Sequence, residues 1–280
     1  MEGLILAPEI TLEKKIEQSI KILKMCPTSD VELCYSGGKD SDVILELAKM
    51  AGISFRPIYR KTTIDPAGTI AHCRENGVEV VEPKMTFFQI IENAGFPSRF
   101  YRVCCNHLKE YKILDNSIQG IRRCESIKRA KTYKEPIICR MYGSLKNHVN
   151  VFLPILEWTN EDVAEFIKMR GIRCHPLYYC NGEFDVTKRL GCMGCPLKSD
   201  KGLQDFKDHP KLVKAWIRAR QKRWENNYND KNGKLFNDAY EQFAYHLFFD
   251  TYDDFKNAKS GLFGDVDFKD KLERYFDIDL

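Results

Sequence analysis

Hydrophobic and polar positions along this chain switch repeatedly between helical and strand spacing. Leu12, Ile16, Ile20 and Leu23 recur among lysines and glutamates between Thr11 and Met25, which predicts an amphipathic helix ended by Pro27 and the polar Thr28-Ser29-Asp30. Val31, Leu33 and Tyr35 then alternate with Glu32 and Cys34, the pattern of a short strand entering a core. From Asp42 onward Val43, Ile44, Leu47 and Ala48 return to helical spacing, and Gly52 stops that helix. Ser54 to Tyr59, Val78 to Val81 and Ile118 to Ile121 read as further strands, with a short helix over Phe87 to Asn93. Strand–helix–strand order implies parallel neighbours, so the expected fold class is α/β with a doubly wound, mostly parallel sheet. Thr159 with Asp162 approximates a capping box opening a helix that carries Val163, Phe166 and Ile167.

Beyond residue 200 the pattern changes. Lys201 to Lys234 holds ten Lys or Arg against four Asp or Glu, while Leu235 to Leu280 holds five against eleven. Trp216, Ala219, Arg220 and Trp224 suggest one basic amphipathic helix in a helical C-terminal extension. The expected organisation is a nucleotide-binding domain bearing the cysteines over residues 1–200 and a helical region over 201–280. The basic helix offers a candidate surface for DNA or tRNA; the preferred reading pairs it with the acidic tail or leaves it facing solvent.

The 280 residues suffice for a substantial core, and the net charge of +4 is weak evidence for any polyanionic partner. No run reaches the ~20 apolar residues of a membrane helix, and Met1-Glu2-Gly3-Leu4 lacks the basic start of a secretory signal. A cytoplasmic protein without a membrane partner is expected. Eleven cysteines in such a setting point to metal or redox chemistry rather than structural disulfides.

The stretch Ser36-Gly37-Gly38-Lys39-Asp40-Ser41 falls at the predicted strand-to-helix junction. Glycines let backbone approach a ligand, and amides at a helix N-terminus favour phosphate. Lys39 adds a point charge, and Ser36 and Ser41 add hydroxyls. Asp40 follows the lysine, so this is not the Walker-type loop, which needs Ser or Thr there. Ligands in such sheets bind beyond the carboxyl ends of the strands, which makes Arg60, Thr62, Thr63 and Asp65 candidate nucleotide contacts. The plainer alternative is a polar loop, with Asp65-Pro66 starting the next helix. Gly120-Ile121-Arg122-Arg123 reads as an anion clamp, with ordinary surface arginines as the alternative. Cys192-x-x-Cys195 between Gly191 and Pro196, together with Cys104-Cys105, supplies four thiolates that satisfy either an iron–sulfur cluster or a structural zinc.

The loop Ser36 to Ser41 resembles the SGGKDS pyrophosphate loop of the ATP pyrophosphatases, which cleave ATP between the α- and β-phosphates. Cys104-Cys105 with Leu108-Lys109, then Cys192-x-x-Cys195, resembles the set that holds a [4Fe–4S] cluster in assimilatory adenylyl-sulfate reductases. With Thr62-Thr63-Ile64-Asp65, Gly120-x-Arg122-x-x-Glu125-Ser126 and Pro154-Ile155-x-x-Trp158-Thr159, the stretch from about Val31 to Leu197 is similar to the phosphoadenosine phosphosulfate reductase family. The resemblance implies a PP-loop site for ATP and Mg²⁺ at Ser36, Gly37, Gly38, Lys39, Asp40 and Ser41, helped by Arg60, Thr62, Asp65 and Arg123. It gives catalytic roles to Lys39, Asp40 and Arg122, and a [4Fe–4S] cluster, with zinc as runner-up, to Cys104, Cys105, Cys192 and Cys195.

Two departures shape the expected activity. The sulfonucleotide reductases attack with a cysteine in a C-terminal Glu-Cys-Gly segment, and no cysteine follows Cys195 here. Those reductases carry a degenerate phosphate loop, whereas this one is intact. Both favour an ATP-cleaving, adenylating sulfur transferase, similar in logic to DNA phosphorothioation sulfur-transfer proteins and cluster-dependent tRNA thiolases. Expected partners are a sulfur donor such as a cysteine desulfurase, a DNA or tRNA acceptor and a second copy of the chain. The alternatives are a thiol-dependent reductase of adenylyl sulfate or its 3′-phosphorylated form, and a non-catalytic nucleotide-binding subunit. Cys124, Cys174 and Cys180 are candidates for an additional thiol, each more often a packing residue.

Overall fold

The computed structural model describes residues 10–98, 100–141, 148–226, 235–261 and 264–280. Packing gathers the chain into two compact units that interleave in sequence. The first takes residues up to Lys61, Pro66–Glu82 and Glu110–Leu190; the second takes Thr62–Asp65, Pro83–Lys109 and Gly191–Leu280.

The first unit holds α1 (Leu12–Lys24), β1 (Val31–Tyr35), α2 (Lys39–Ala51), β2 (Arg56–Arg60), α3 (Thr69–Glu75), β3 (Glu79–Val81), β4 (Asn116–Ile118), α6 (Ile127–Thr132), β5 (Ile137–Met141), β6 (His148–Phe152) and α7 (Asn160–Arg170). Its six strands run β3-β2-β1-β4-β6-β5. All neighbours are parallel except β5 and β6, which pair antiparallel at one edge. The doubly wound α/β fold is therefore present. Strand order reverses beside β1, where Leu33 lies opposite Pro57 of β2 and Ile118 of β4. That reversal opens a crevice at the carboxyl ends of β1 and β4, the place where such sheets bind ligands.

Val31, Leu33 and Tyr35 are buried as their alternation implies, but Glu32 is fully buried as well. Arg60 of β2 meets both Glu32 carboxylate oxygens, one at 2.8 Å, and Leu114 N donates to Oε2 at 3.2 Å. A charge inside a sheet is tolerable only when paired and hydrogen-bonded in this way. α1 and α7 pack on α2. The capping box at α7 is complete, with Asp162 N donating to Thr159 Oγ1 at 3.3 Å and Thr159 N to Asp162 Oδ2 at 2.6 Å.

The fourth strand ends at Ile118 rather than continuing to Ile121, because Gln119 N turns to Phe152 O (3.0 Å) and Gly120 begins the loop. Edge strand β5 has no counterpart in the sequence reading. Its residues are half-buried or exposed without clean alternation, so periodicity gives little signal.

The second unit is helical: α4 (Phe87–Ala94), α5 (Val103–Leu108), α8 (Leu203–Asp208), α9 (Pro210–Glu225), α10 (Ala239–Phe248), α11 (Tyr252–Lys259) and α12 (Phe268–Phe276). Its core is aromatic. The buried Trp216 ring lies 5.1 Å from Phe87, 5.4 Å from Phe206 and 6.2 Å from Phe243. Ile64, Val103 and Leu108 join the same core, so both cysteine segments pack with the C-terminal helices rather than with the sheet. The division expected at residue 200 follows chain order, whereas packing assigns these earlier segments to the helical unit.

Helix α9 is the basic amphipathic helix, with part of its charge turned inward. Arg220 is buried with its guanidinium 4.4 Å from the Trp224 ring. Arg223 donates to Glu92 O at 3.3 Å and to Asn93 O, in the last turn of α4 where carbonyls lack helical partners. Among the described residues no helix is long and apolar enough to cross a membrane.

Candidate functional site

The chain leaves β1 at Tyr35 and enters α2 at Lys39 through Ser36-Gly37-Gly38. Gly37 sits at φ +76°, a backbone region that side chains rarely tolerate. Ser41 N and Asp42 N bond back to Gly38 O at 2.9 and 3.1 Å, and Ser41 Oγ donates to the same carbonyl at 2.6 Å. The result is a tight turn on a helix N-terminus. It borders a polar cavity of about 210 Å³ whose walls include Ser36, Lys39, Asp40, Arg129, Tyr178 and Arg189.

Three cations on its walls, Lys39, Arg129 and Arg189, face two carboxylates, Asp40 and Glu125, and Glu125 pairs with both arginines. Lys39 is buried, its Nζ donating to Lys188 O at 3.2 Å and lying 3.7 Å from Asp40 Oδ2. Burial, then the nearby Arg122 and Arg189, push its pKa below the usual lysine value against the pull of Asp40. Burial and the charge of Arg189 do the same to Arg129. Cations that depress one another are relieved by an anion, so this arrangement suits phosphate groups. Arg122 is buried and fixed three ways: to Asp40 Oδ1 at 2.7 Å, Cys124 Sγ at 3.1 Å and Asn160 Oδ1 at 3.0 Å. It sets the Asp40 carboxylate, which leaves Oδ2 toward Lys39.

Other residues singled out in the sequence serve elsewhere. Arg60 is consumed by Glu32 and by the carbonyls of Tyr111 (2.5 Å) and Lys112 (2.7 Å). Arg123 donates to Tyr133 O at 2.7 Å and to Lys134 O, and it pairs with Glu157. Thr62 and Asp65 belong to the second unit, where Asp65 accepts from Thr62 N (2.9 Å), Thr62 Oγ1 (2.5 Å) and Thr63 N (3.2 Å). The α3 helix starts only at Thr69, so Asp65 closes this turn instead of capping it. Conversely, the sequence reading gave no site role to Arg129, Tyr178 or Arg189. Each lies in a polar or loop stretch whose approach to the phosphate loop is tertiary.

The four cysteines of the two motifs line one cavity of about 90 Å³ in the second unit. Cys104 and Cys105 lie within the first turn of α5, one residue inside the helix rather than before it. The Cys192–Cys195 loop is held by Met193 N donating to Ile64 O at 2.8 Å and Gly194 N to Asp205 Oδ2 at 2.7 Å. Cys192 Sγ donates to Thr62 Oγ1 at 3.5 Å. Gly194 is obligatory: its φ is +66°, and a Cβ would stand 2.6 Å from the Phe206 ring. Thr62-Thr63-Ile64-Asp65 thus buttresses the cysteine loop.

The thiols sit beside positive charge. A hydrogen bond from Cys104, supported by Arg102 and Lys109, brings the Cys105 thiol down to about 5, while the same bond and burial push Cys104 up. Burial raises Cys195. The charge of Cys192 raises Lys109 and keeps it an ammonium. Among the described residues no three Cys, His, Asp or Glu side chains are arranged to hold a metal ion as they stand. The four thiols instead surround a shared cavity, with Arg102 and Lys109 to balance thiolate charge. Soft sulfur donors of this kind suit zinc or iron–sulfur groups. Of the other thiols, Cys174 is buried, and Cys124 and Cys180 are exposed.

Residues 30–198 match the model of the phosphoadenosine phosphosulfate reductase domain. The chain belongs to the phosphoadenosine phosphosulfate reductase family. Within that family it is 36% identical over 74 residues to phosphoadenosine 5′-phosphosulfate reductase of Vibrio atlanticus (strain LGP32), covering 25% of this chain and 26% of the relative. It is also 31% identical over 115 residues to an uncharacterized 37.8 kDa protein of Escherichia phage 186, covering 36% and 31%. The matched stretches thus span about a quarter to a third of these relatives. The phosphoadenylyl-sulfate reductase structure from Candida auris superposes with a TM-score of 0.43 at 14% identity, over 68% of this chain and 98% of that one. The family match contains both the phosphate loop and all four cysteines.

Proposed function

We propose that this family member is an adenylating sulfur transferase that binds ATP at Ser36–Ser41 and cleaves it to AMP and pyrophosphate. The observation carrying the reading is the intact phosphate loop on the N-terminus of α2, beside Lys39 and Arg129, whose pKa values are both lowered by burial and by the neighbouring Arg122 and Arg189. ATP places its β- and γ-phosphates on the amides of the loop, with Ser36 and Ser41 as hydroxyl donors. An acceptor oxygen attacks the α-phosphorus and forms the new O–P bond. The bond from the α-phosphorus to the bridging oxygen breaks, and its electron pair leaves with pyrophosphate. Lys39 and Arg129 offset the charge growing on that leaving group. Arg122 acts through Asp40, holding its carboxylate for Lys39 or for the Mg²⁺ that accompanies ATP. Sulfide-level sulfur then attacks the acceptor atom that bears the adenylated oxygen; the bond from that atom to the oxygen breaks, and AMP leaves with the electron pair. A persulfide donor such as a cysteine desulfurase supplies that sulfide only with a thiol reductant that cleaves the persulfide S–S bond.

Cys104, Cys105, Cys192 and Cys195 would hold a [4Fe–4S] cluster, with zinc as the alternative; the cluster supplies a site at which sulfur can be bound. Arg102 and Lys109 stabilise the thiolate forms that ligation needs. The acceptor class in this reading is nucleic acid, DNA or tRNA. The test is an anaerobic preparation assayed for iron, zinc and acid-labile sulfide, then incubated with Mg-ATP in the presence of bulk tRNA or DNA. Iron and sulfide near stoichiometry with AMP formation support the proposal. One zinc without sulfide removes the cluster, and ADP with phosphate removes the α-phosphorus chemistry. Sulfite release from an adenylyl sulfate with a thiol reductant would instead establish the reductase named among the relatives.

A further inference from the structure

The second unit contains another cavity, of about 480 Å³, that shares only Pro196 with the cysteine cavity. Six aromatic rings line it: Phe96, Phe100, Phe236, Tyr245, Phe249 and Tyr252. They fall into separate groups: Phe236 lies 5.2 Å from Tyr245 and 6.0 Å from Tyr252, whereas Phe96 lies 5.9 Å from Phe243. Phe100 stands wholly in solvent, and Leu235 is nearly half exposed. The cavity thus presents aromatic surface on which a flat, partly apolar ligand can stack.

Two polar side chains on the wall narrow the choice. Gln242 is 7% exposed, and among the described residues its buried Oε1 has no hydrogen-bond partner. One turn along α10, the buried Nε2 of His246 also has none among the described residues. The His246 ring packs 5.6 Å from Phe96 and 5.5 Å from Trp216, and burial holds it neutral, its pKa lowered to about 4. Leaving such groups unpaired is costly, a cost that a polar ligand would recover. Lys201 and Asp250, also on the wall, pair with each other at 2.8 Å. The available chemistry is therefore flat aromatic stacking plus an amide and an imidazole at one end.

We infer that this cavity binds a planar nitrogen heterocycle, a nucleobase, stacked on the Phe and Tyr rings and hydrogen-bonded by Gln242 and His246. An aliphatic ligand would leave both polar groups unpaired, and an inorganic anion would not use the rings. The base can arrive as a free nucleoside or as an unstacked base of a single strand, since stacking on aromatic side chains serves both. The inference stands apart from the phosphate-loop reading, because none of these residues lines that cavity.

The experiment follows the His246 Nε2 resonance in ¹⁵N-histidine-labelled full-length protein during titration with adenosine, guanosine, cytidine and uridine. Parallel titrations use single-stranded DNA and RNA oligonucleotides. A saturable shift is expected with at least one nucleoside or oligonucleotide at up to about millimolar concentration. A shift with free nucleosides assigns a small-molecule ligand, and one confined to oligonucleotides assigns a strand. Gln242→Leu and Phe100→Ala should each weaken binding by about tenfold. Gln242→Leu should also keep or raise the melting temperature, which a purely structural glutamine would not allow. No saturable shift with any probe, or equal binding by wild type and both variants, overturns the inference.

Discussion

The phosphate loop and the cysteine cavity use opposite construction. The first has its loop in six consecutive residues on a helix N-terminus, with polar walls completed by Arg129, Tyr178 and Arg189 from later in the chain. The second draws on a short helix, a loop about ninety residues later and a turn at Thr62, and most of its accessible wall is apolar. The comparison shows how far each chemistry depends on local backbone. An anion site can be made by a turn and the dipole that follows it. A thiolate site needs its donors carried together by tertiary packing, with fixed cations beside them.

The largest expected break in this comparison is Lys39→Ala. It removes the buried ammonium and should lower ATP turnover by about 10²–10³-fold, while leaving iron content unchanged in metal analysis of the same preparation. The reverse separation comes from Cys105→Ser and Cys192→Ser. Each should lower bound iron and sulfide about tenfold or more, while the affinity for ATP, read by calorimetry, stays near that of wild type. Either variant acting on both properties would show the two sites to be one.

Gly194→Ala tests the cysteine loop without touching a thiol. The new methyl meets Phe206 at 2.6 Å in a backbone region hostile to alanine, which should cost about 2–4 kcal/mol in denaturant unfolding. A cost under half a kilocalorie, on the order of an ordinary surface change, would mean the loop can relax. The smallest effect is a pH dependence that belongs to the helical unit. His246 titrates near 6.5 when unfolded but is lowered to about 4 by burial and Lys201. Protonation therefore favours the unfolded state, so stability is full above pH 6.5 and falls as pH drops toward 4. The loss should be about 1–3 kcal/mol, and a His246→Phe variant should flatten that slope in denaturant titrations.

What the residues disclosed in advance follows the same division. Val31-Leu33-Tyr35, the glycine turn and the helical spacing after Asp42 are local signals, and they located β1, the loop and α2. The Thr159–Asp162 capping box was legible for the same reason. Arg60 was misleading because its partner, Glu32, occupies a position in the central strand that alternation assigns to a polar face. In a sheet covered on both sides that face is also buried, so the carboxylate demands an arginine. Arg129, Tyr178 and Arg189 could not be seen, since no spacing rule connects them to Ser36. The basic helix reads as pairing with the acidic tail or facing solvent, but its Arg220 stacks on Trp224 and its Arg223 caps α4. A count of lysines and arginines cannot distinguish such residues from exposed ones.

The central claim is that this cavity opens ATP at its α-phosphorus. Phosphorus NMR of Mg-ATP incubated with the anaerobically prepared protein and an acceptor, beside the Lys39→Ala variant, tests it most directly. The account predicts paired AMP and pyrophosphate resonances that vanish in the variant. ADP and inorganic phosphate, or pyrophosphate formed equally well without Lys39, would contradict it.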